Sequence, residues 1–109
     1  MKKISSYKNY DDWAIDILKS DKTRADRFLK LAMSEFEKDG DVATLLIALR
    51  HVAQAKGGIS QLSNKTKIAR ESLYNILSKN GNPTLTTFKS VIDALGYKMV
   101  LKHCEVVNA

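Results

Sequence analysis

Arg70, Glu71 and Asn75 fall within six residues of one another, and each side chain can read a base edge. An arginine guanidinium bridges guanine O6 and N7, an asparagine amide pairs with adenine, and a glutamate accepts from cytosine N4. Such reading needs a short helix whose first residues enter a major groove. Phosphate contacts fix register without reading sequence, and they come from short polar side chains, lysines and helix starts. Ser60, Gln61, Tyr74, Lys79, Asn80, Asn82 and Thr84 surround the same stretch and are the candidates for that role.

Charge is distributed in the same sense. The chain carries a formal net charge of +6. Met1 to Asp41 holds nine Lys or Arg against nine Asp or Glu, whereas Val42 to Ala109 holds nine basic residues against Glu71, Asp93 and Glu105 alone. The whole excess lies on the half that carries the base-reading candidates, as phosphate binding requires. A basic surface with no nucleic-acid partner would carry the same charge, so charge supports the motif and cannot replace it.

Catalytic and metal chemistry find little material. His51 and His103 are far apart, and the adjacent His103 and Cys104 lack the second ligand pair that a zinc site needs. Asp11 with Asp12, and Asp39 with Asp41, read as helix-start carboxylates that oppose the helix dipole. No phosphate-binding glycine loop or nucleophile motif is present. The expectation is a protein without catalytic residues, metal or cofactor. Cys104 is the sole cysteine, so no internal disulfide can form. The opening MKKISSYKNYDD lacks a secretory apolar run, and no apolar stretch approaches the ~18 residues of a membrane span. The expected location is therefore the cytoplasm, with no membrane partner.

The elements that would position the reading residues are helices. Two short helices crossing through a tight turn need a small residue at the crossing and apolar residues on both inner faces. Ser63 supplies the first, and Leu62, Ile68, Leu73 and Ile76 supply the second. Ser60 is the expected N-cap of the first helix, and Arg70 to Ser78 the reading helix. The turn residue, Lys67, must then be left-handed, at a cost of roughly 1–2 kcal/mol for a non-glycine residue.

Upstream, Asp11 to Ser20 carries Trp13, Ile17 and Leu18 at helical spacing. Asp21 caps a second helix with Ala25, Phe28, Leu29, Ala32 and Phe36 on one stripe, ended by Gly40. Asp41 caps Val42 to Lys56, whose Val42, Leu45, Leu46, Leu49, Val52 and Ala53 form a core face. Gly57 and Gly58 stop it. Downstream, Thr84 caps a helix with Leu85, Phe88, Val91, Ile92 and Leu95 inward, and Gly96 closes it. Beyond Gly96, Tyr97, Met99 and Leu101 alternate with Lys98, Val100 and Lys102, which predicts a short strand. A strand without a partner in its own chain invites pairing with a copy. The expectation is a homodimer joined antiparallel through Tyr97, Met99 and Leu101. Its two reading helices would sit about 34 Å apart and match an inverted-repeat operator in double-stranded DNA.

The predicted fold is thus mostly α, a helix-turn-helix bundle with an N-terminal helical extension over residues 1–40. Residues 41–109 form the DNA-binding domain with its C-terminal dimerisation strand. Three blocks carry a family likeness over nearly the whole chain, from about Tyr10 to Leu101: YKNYDDWAIDILKSDKTRADRFLKLAMSEFEKDGDVATLL, ALRHVAQAKGGISQLSNKT and RESLYNILSKNGNPTLTTFKSVIDALG. Here the chain resembles HigA-like addiction-module antidotes, the antitoxins of type II toxin–antitoxin systems, with a lambda-repressor-like, Xre-type helix-turn-helix. The run Arg70 to Leu85 is the most specific element, while Lys67 replaces the usual glycine and Ser63 the usual alanine. The resemblance implies a noncatalytic protein that silences a small RNase-type toxin and represses their shared promoter. Tyr7, Tyr10 and Trp13, rigid aromatics of the sort that anchor interfaces, are the candidate toxin-facing residues. They could equally dock the first helix onto the domain. Two other readings stay open: a stand-alone phage-type repressor with no toxin partner, and an interaction module without DNA binding.

Overall fold

Six helices make up the regular structure of the computed structural model, which describes residues 10–104. They are α1 (Tyr10–Ser20), α2 (Lys22–Asp39), α3 (Val42–Ala55), α4 (Gly58–Thr66), α5 (Arg70–Ile76) and α6 (Leu85–Ala94). The starts of three are written in the sequence. Asp21 accepts the Thr23 N–H at 2.9 Å, Asp41 accepts the Thr44 N–H at 3.2 Å, and Thr84 accepts the Thr87 N–H at 3.1 Å. Each cap satisfies a backbone donor that the first turn leaves unpaired. The Thr23 and Thr44 bonds hold the Asp21 and Asp41 carboxyls below their ordinary value. Their stabilisation is therefore present above that value and lost as pH falls through the lowered one. Gly40, at φ 73°, ends α2 by turning its N–H onto the Phe36 carbonyl at 2.7 Å.

Packing centres on α3, which touches α1, α2 and α4, while α4 in turn packs against α5 and α6. Leu45, Leu46, Leu49, Val52 and Ala53 of α3 are buried and share one core with Leu18, Ala25, Leu29, Ala32, Leu62, Leu73, Leu77, Val91 and Ile92. Two expected core members lie outside it. Val42 is 42% exposed and Leu85 75% exposed. Each is the first residue of its helix, and the buried stripe starts one turn later, at Leu45 and at Phe88.

Ser60 is not a cap. Gly57 and Gly58 turn the chain with φ of 108° and 90°, so α4 begins before Ser60 and leaves it exposed in the first turn. Asp39 likewise lies at the end of α2 rather than at a helix start, where it accepts the Asp41 N–H at 2.9 Å. Lys67 does take the left-handed conformation, φ 64° and ψ 25°. The expected strand is absent: Tyr97 to Cys104 form no regular element. A strand is defined by its ladder of hydrogen bonds, and the described chain offers this segment no second strand. Tyr97 instead folds back, donating its hydroxyl to Asp26 of α2 at 2.6 Å beneath the Lys56 ammonium, 4.5 Å from the ring centroid. Burial, followed by the Asp26 carboxylate, pushes the Tyr97 phenol above its ordinary value, which keeps it a donor.

Leu73 is fully buried, so Leu73→Ala should lower unfolding free energy by about 2–5 kcal/mol in a urea titration. A loss under about 1 kcal/mol would contradict this packing. Gly81 abuts the end of α5 so closely that a Cβ would collide with the Ile76 carbonyl oxygen, a backbone atom unable to yield alone. Gly81→Ala should therefore cost about 1–3 kcal/mol in the same titration.

Candidate nucleic-acid interface

A seven-residue helix is too short to persist unaided, so α5 exists because the core holds it. Leu73 and the capping Leu77 are buried one turn apart. Arg70, Glu71, Tyr74 and Asn75 are left exposed, and i, i+4 spacing places Arg70 below Tyr74 and Glu71 below Asn75. The helix ends at Ile76, two residues before the expected Ser78. The turn ahead of it is tied by side chains. Ser63 donates to the Ile68 carbonyl at 2.5 Å, Thr66 donates to the Leu62 carbonyl at 2.8 Å, and Ile68 N–H reaches the Thr66 hydroxyl at 3.3 Å.

After α5 the chain turns tightly. Ser78 donates to the Asn75 carbonyl at 2.8 Å, and Gly81 N–H donates to the Ser78 carbonyl at 2.9 Å. Lys79, Asn80, Asn82 and Thr84 are all exposed along this loop, as are Ser60 and Gln61 in the first turn of α4. The Thr84 hydroxyl is already engaged as the α6 cap, contacting both the N–H and the hydroxyl of Thr87. Lys89 is paired with Asp93 at 2.5 Å and Arg50 with Asp11 at 3.5 Å. Lys65, Lys67, Arg70 and Lys79 form no ion pair among the described residues. Positive charge is therefore concentrated around α4, α5 and the following loop, with Glu71 as the one carboxylate between them.

The aromatic candidates of the first helix divide. Tyr7 lies outside the described residues. Tyr10 is 62% exposed and Trp13 half-buried, with ring centroids 5.5 Å apart. Sequence reasoning missed what lies beneath them. His51 of α3 is buried between Tyr10 and Phe28, both 6.1 Å away, and its Nε2 meets the Asp11 carboxylate at 2.8 Å. A carboxylate only accepts, so Nε2 carries the proton, and the buried Nδ1 has no partner among the described residues. Asp11 thus does more than face a helix dipole: it fastens α1 to α3. The only signal for this in the sequence was a histidine inside the apolar stripe of α3.

Of the candidate dimer residues, Met99 is 40% exposed and Leu101 fully exposed, whereas Tyr97 is half-buried against its own chain. Among the described residues no three His, Cys, Asp or Glu side chains converge as a metal site would require. No helix among them is long and apolar enough to cross a membrane.

Comparison with known proteins gives this arrangement a family. A protein of Haemophilus influenzae, described as an uncharacterized protein, is 36% identical over 75 residues, which cover 69% of this chain and 76% of the relative. No solved structure matches significantly. The profile of a family described as "Probable addiction module antidote protein" matches residues 12–103. That span runs from the first turn of α1 through every later helix into the tail, and so the chain belongs to the family of probable addiction module antidote proteins.

Proposed function

We propose that this antidote is the antitoxin of a type II toxin–antitoxin module, which binds and neutralises a small RNase-type toxin and represses its own operon. The observation that carries the antidote role is the family match over residues 12–103. An antidote implies a cognate toxin. DNA binding draws its support from a different source, the exposed Arg70, Glu71 and Asn75 on a helix whose opposite face is locked into the core. In this reading α4 and α5 are a lambda-repressor-like, Xre-type helix-turn-helix. Arg70, Glu71 and Asn75 contact bases, and Ser60, Gln61, Tyr74, Lys79, Asn80, Asn82 and Thr84 contact phosphates.

The protein acts as a homodimer on an inverted repeat. Of the dimer candidates Tyr97, Met99 and Leu101, the last two are exposed beyond the Tyr97 anchor and support pairing of this segment with a second copy. Residues 1–40 serve as the toxin-facing extension, with Tyr10 and Trp13 as its anchors, and residues 41–109 as the DNA-binding domain. The antidote itself catalyses nothing.

Co-expression of the tagged chain with the product of the adjacent small gene tests the antidote role. Co-purification together with rescue of growth is the expected result; failure of both would leave a stand-alone repressor as the better reading. Arg70→Ala should weaken binding to the operator by about 1–3 kcal/mol, measured by fluorescence anisotropy, through loss of a bidentate guanine contact. Unchanged binding would argue against α5 as the reading helix.

A further inference from the structure

Lys67 is the single non-glycine with positive φ among the described residues, at φ 64°. A side chain in the left-handed region is strained where glycine would not be, and retained strain is a pointer to use. The backbone around it is fixed from both sides. Its N–H donates to the Ser63 carbonyl at 2.8 Å, and the Ser63 hydroxyl spans the turn to the Ile68 carbonyl at 2.5 Å. The Cα–Cβ direction of Lys67 is therefore set by the turn, and its flexible stem carries the ammonium outward from there. Lys67 is exposed, stands two residues after Lys65 and three before Arg70, and forms no ion pair among the described residues.

We propose that Lys67 is a further phosphate-contacting residue of the DNA interface, placed on the approach to α5 by a turn that forgoes glycine to carry a charge. Glycine would relax the turn and leave no cation there. Ser63, whose hydroxyl closes the turn, is the positioning residue. The assignment rests on the DNA-binding reading given above.

The test uses the full chain and a mixed-sequence duplex of roughly three helical turns, because phosphate contacts are independent of sequence. Affinity is followed by anisotropy across a salt series for the parent, Lys67→Gly, Lys67→Asn and Lys67→Arg. Asparagine tolerates the left-handed region and removes the charge without loosening the chain. Both neutral variants should bind more weakly at low salt, with the slope of log affinity against log salt shallower by about 0.9 per bound protomer, about 1.8 for the dimer. Their deficit relative to the parent should shrink about threefold per protomer, roughly tenfold for the dimer, between roughly 50 and 200 mM salt. Lys67→Gly should nonetheless melt a few degrees higher than the parent, and Lys67→Arg should keep the parental slope. Equal affinities and slopes for parent and neutral variants would overturn the proposal, leaving Lys67 as tolerated strain. A parent chain that binds no duplex even at low salt would overturn the DNA reading itself and this assignment with it.

Discussion

Burial of Leu73 and Leu77 is the interaction on which the candidate interface depends. Seven residues cannot form a lasting helix in water. With both leucines in the core, α5 is helical and its rotation is fixed, so the identity of the outward residues is no longer free. Arg70, Glu71, Tyr74 and Asn75 are presented because Leu73 and Leu77 are not. Gly81 completes the restraint, allowing the following loop to close directly on the end of the helix.

Beneath this lies α3, which packs against α1, α2 and α4. Acidic and basic residues balance over Met1 to Asp41, while the excess positive charge lies from Val42 onward, much of it in the turns and the tail at Lys56, Lys67, Lys79, Lys98 and Lys102. One core therefore joins a charge-balanced surface to a cationic one. Two polar links reinforce the junction: Asp11 to the buried His51, and Tyr97 to Asp26. The second ties the chain leaving α6 to α2, so the exposed Met99 to Leu101 segment departs from a fixed point.

Local chemistry was legible in the sequence, and long-range chemistry was not. The caps Asp21, Asp41 and Thr84, the stop at Gly40 and the left-handed Lys67 each depend on a few neighbouring residues, and each stands as read. Periodicity placed the stripes of α3 and α6 but overextended them to Val42 and Leu85, because spacing does not reveal where a packing partner begins. Ser60 lost its capping role to the two glycines before it. The His51–Asp11 pair spans 40 residues and the Tyr97–Asp26 pair 71, distances at which no spacing rule speaks. The strand after Gly96 required a partner strand, and none is present among the described residues. Every candidate DNA contact proves exposed, since a surface position is simply what the buried stripe omits.

The proposed function requires the cationic half to dock on DNA as a two-fold pair. Hydroxyl-radical footprinting of the full chain on the duplex upstream of its own reading frame tests this most directly. A two-fold pair should protect two segments of inverted sequence whose centres lie about 34 Å apart along the duplex, with protection lost steeply as salt rises. A folded chain that protects no segment at any salt concentration would contradict it.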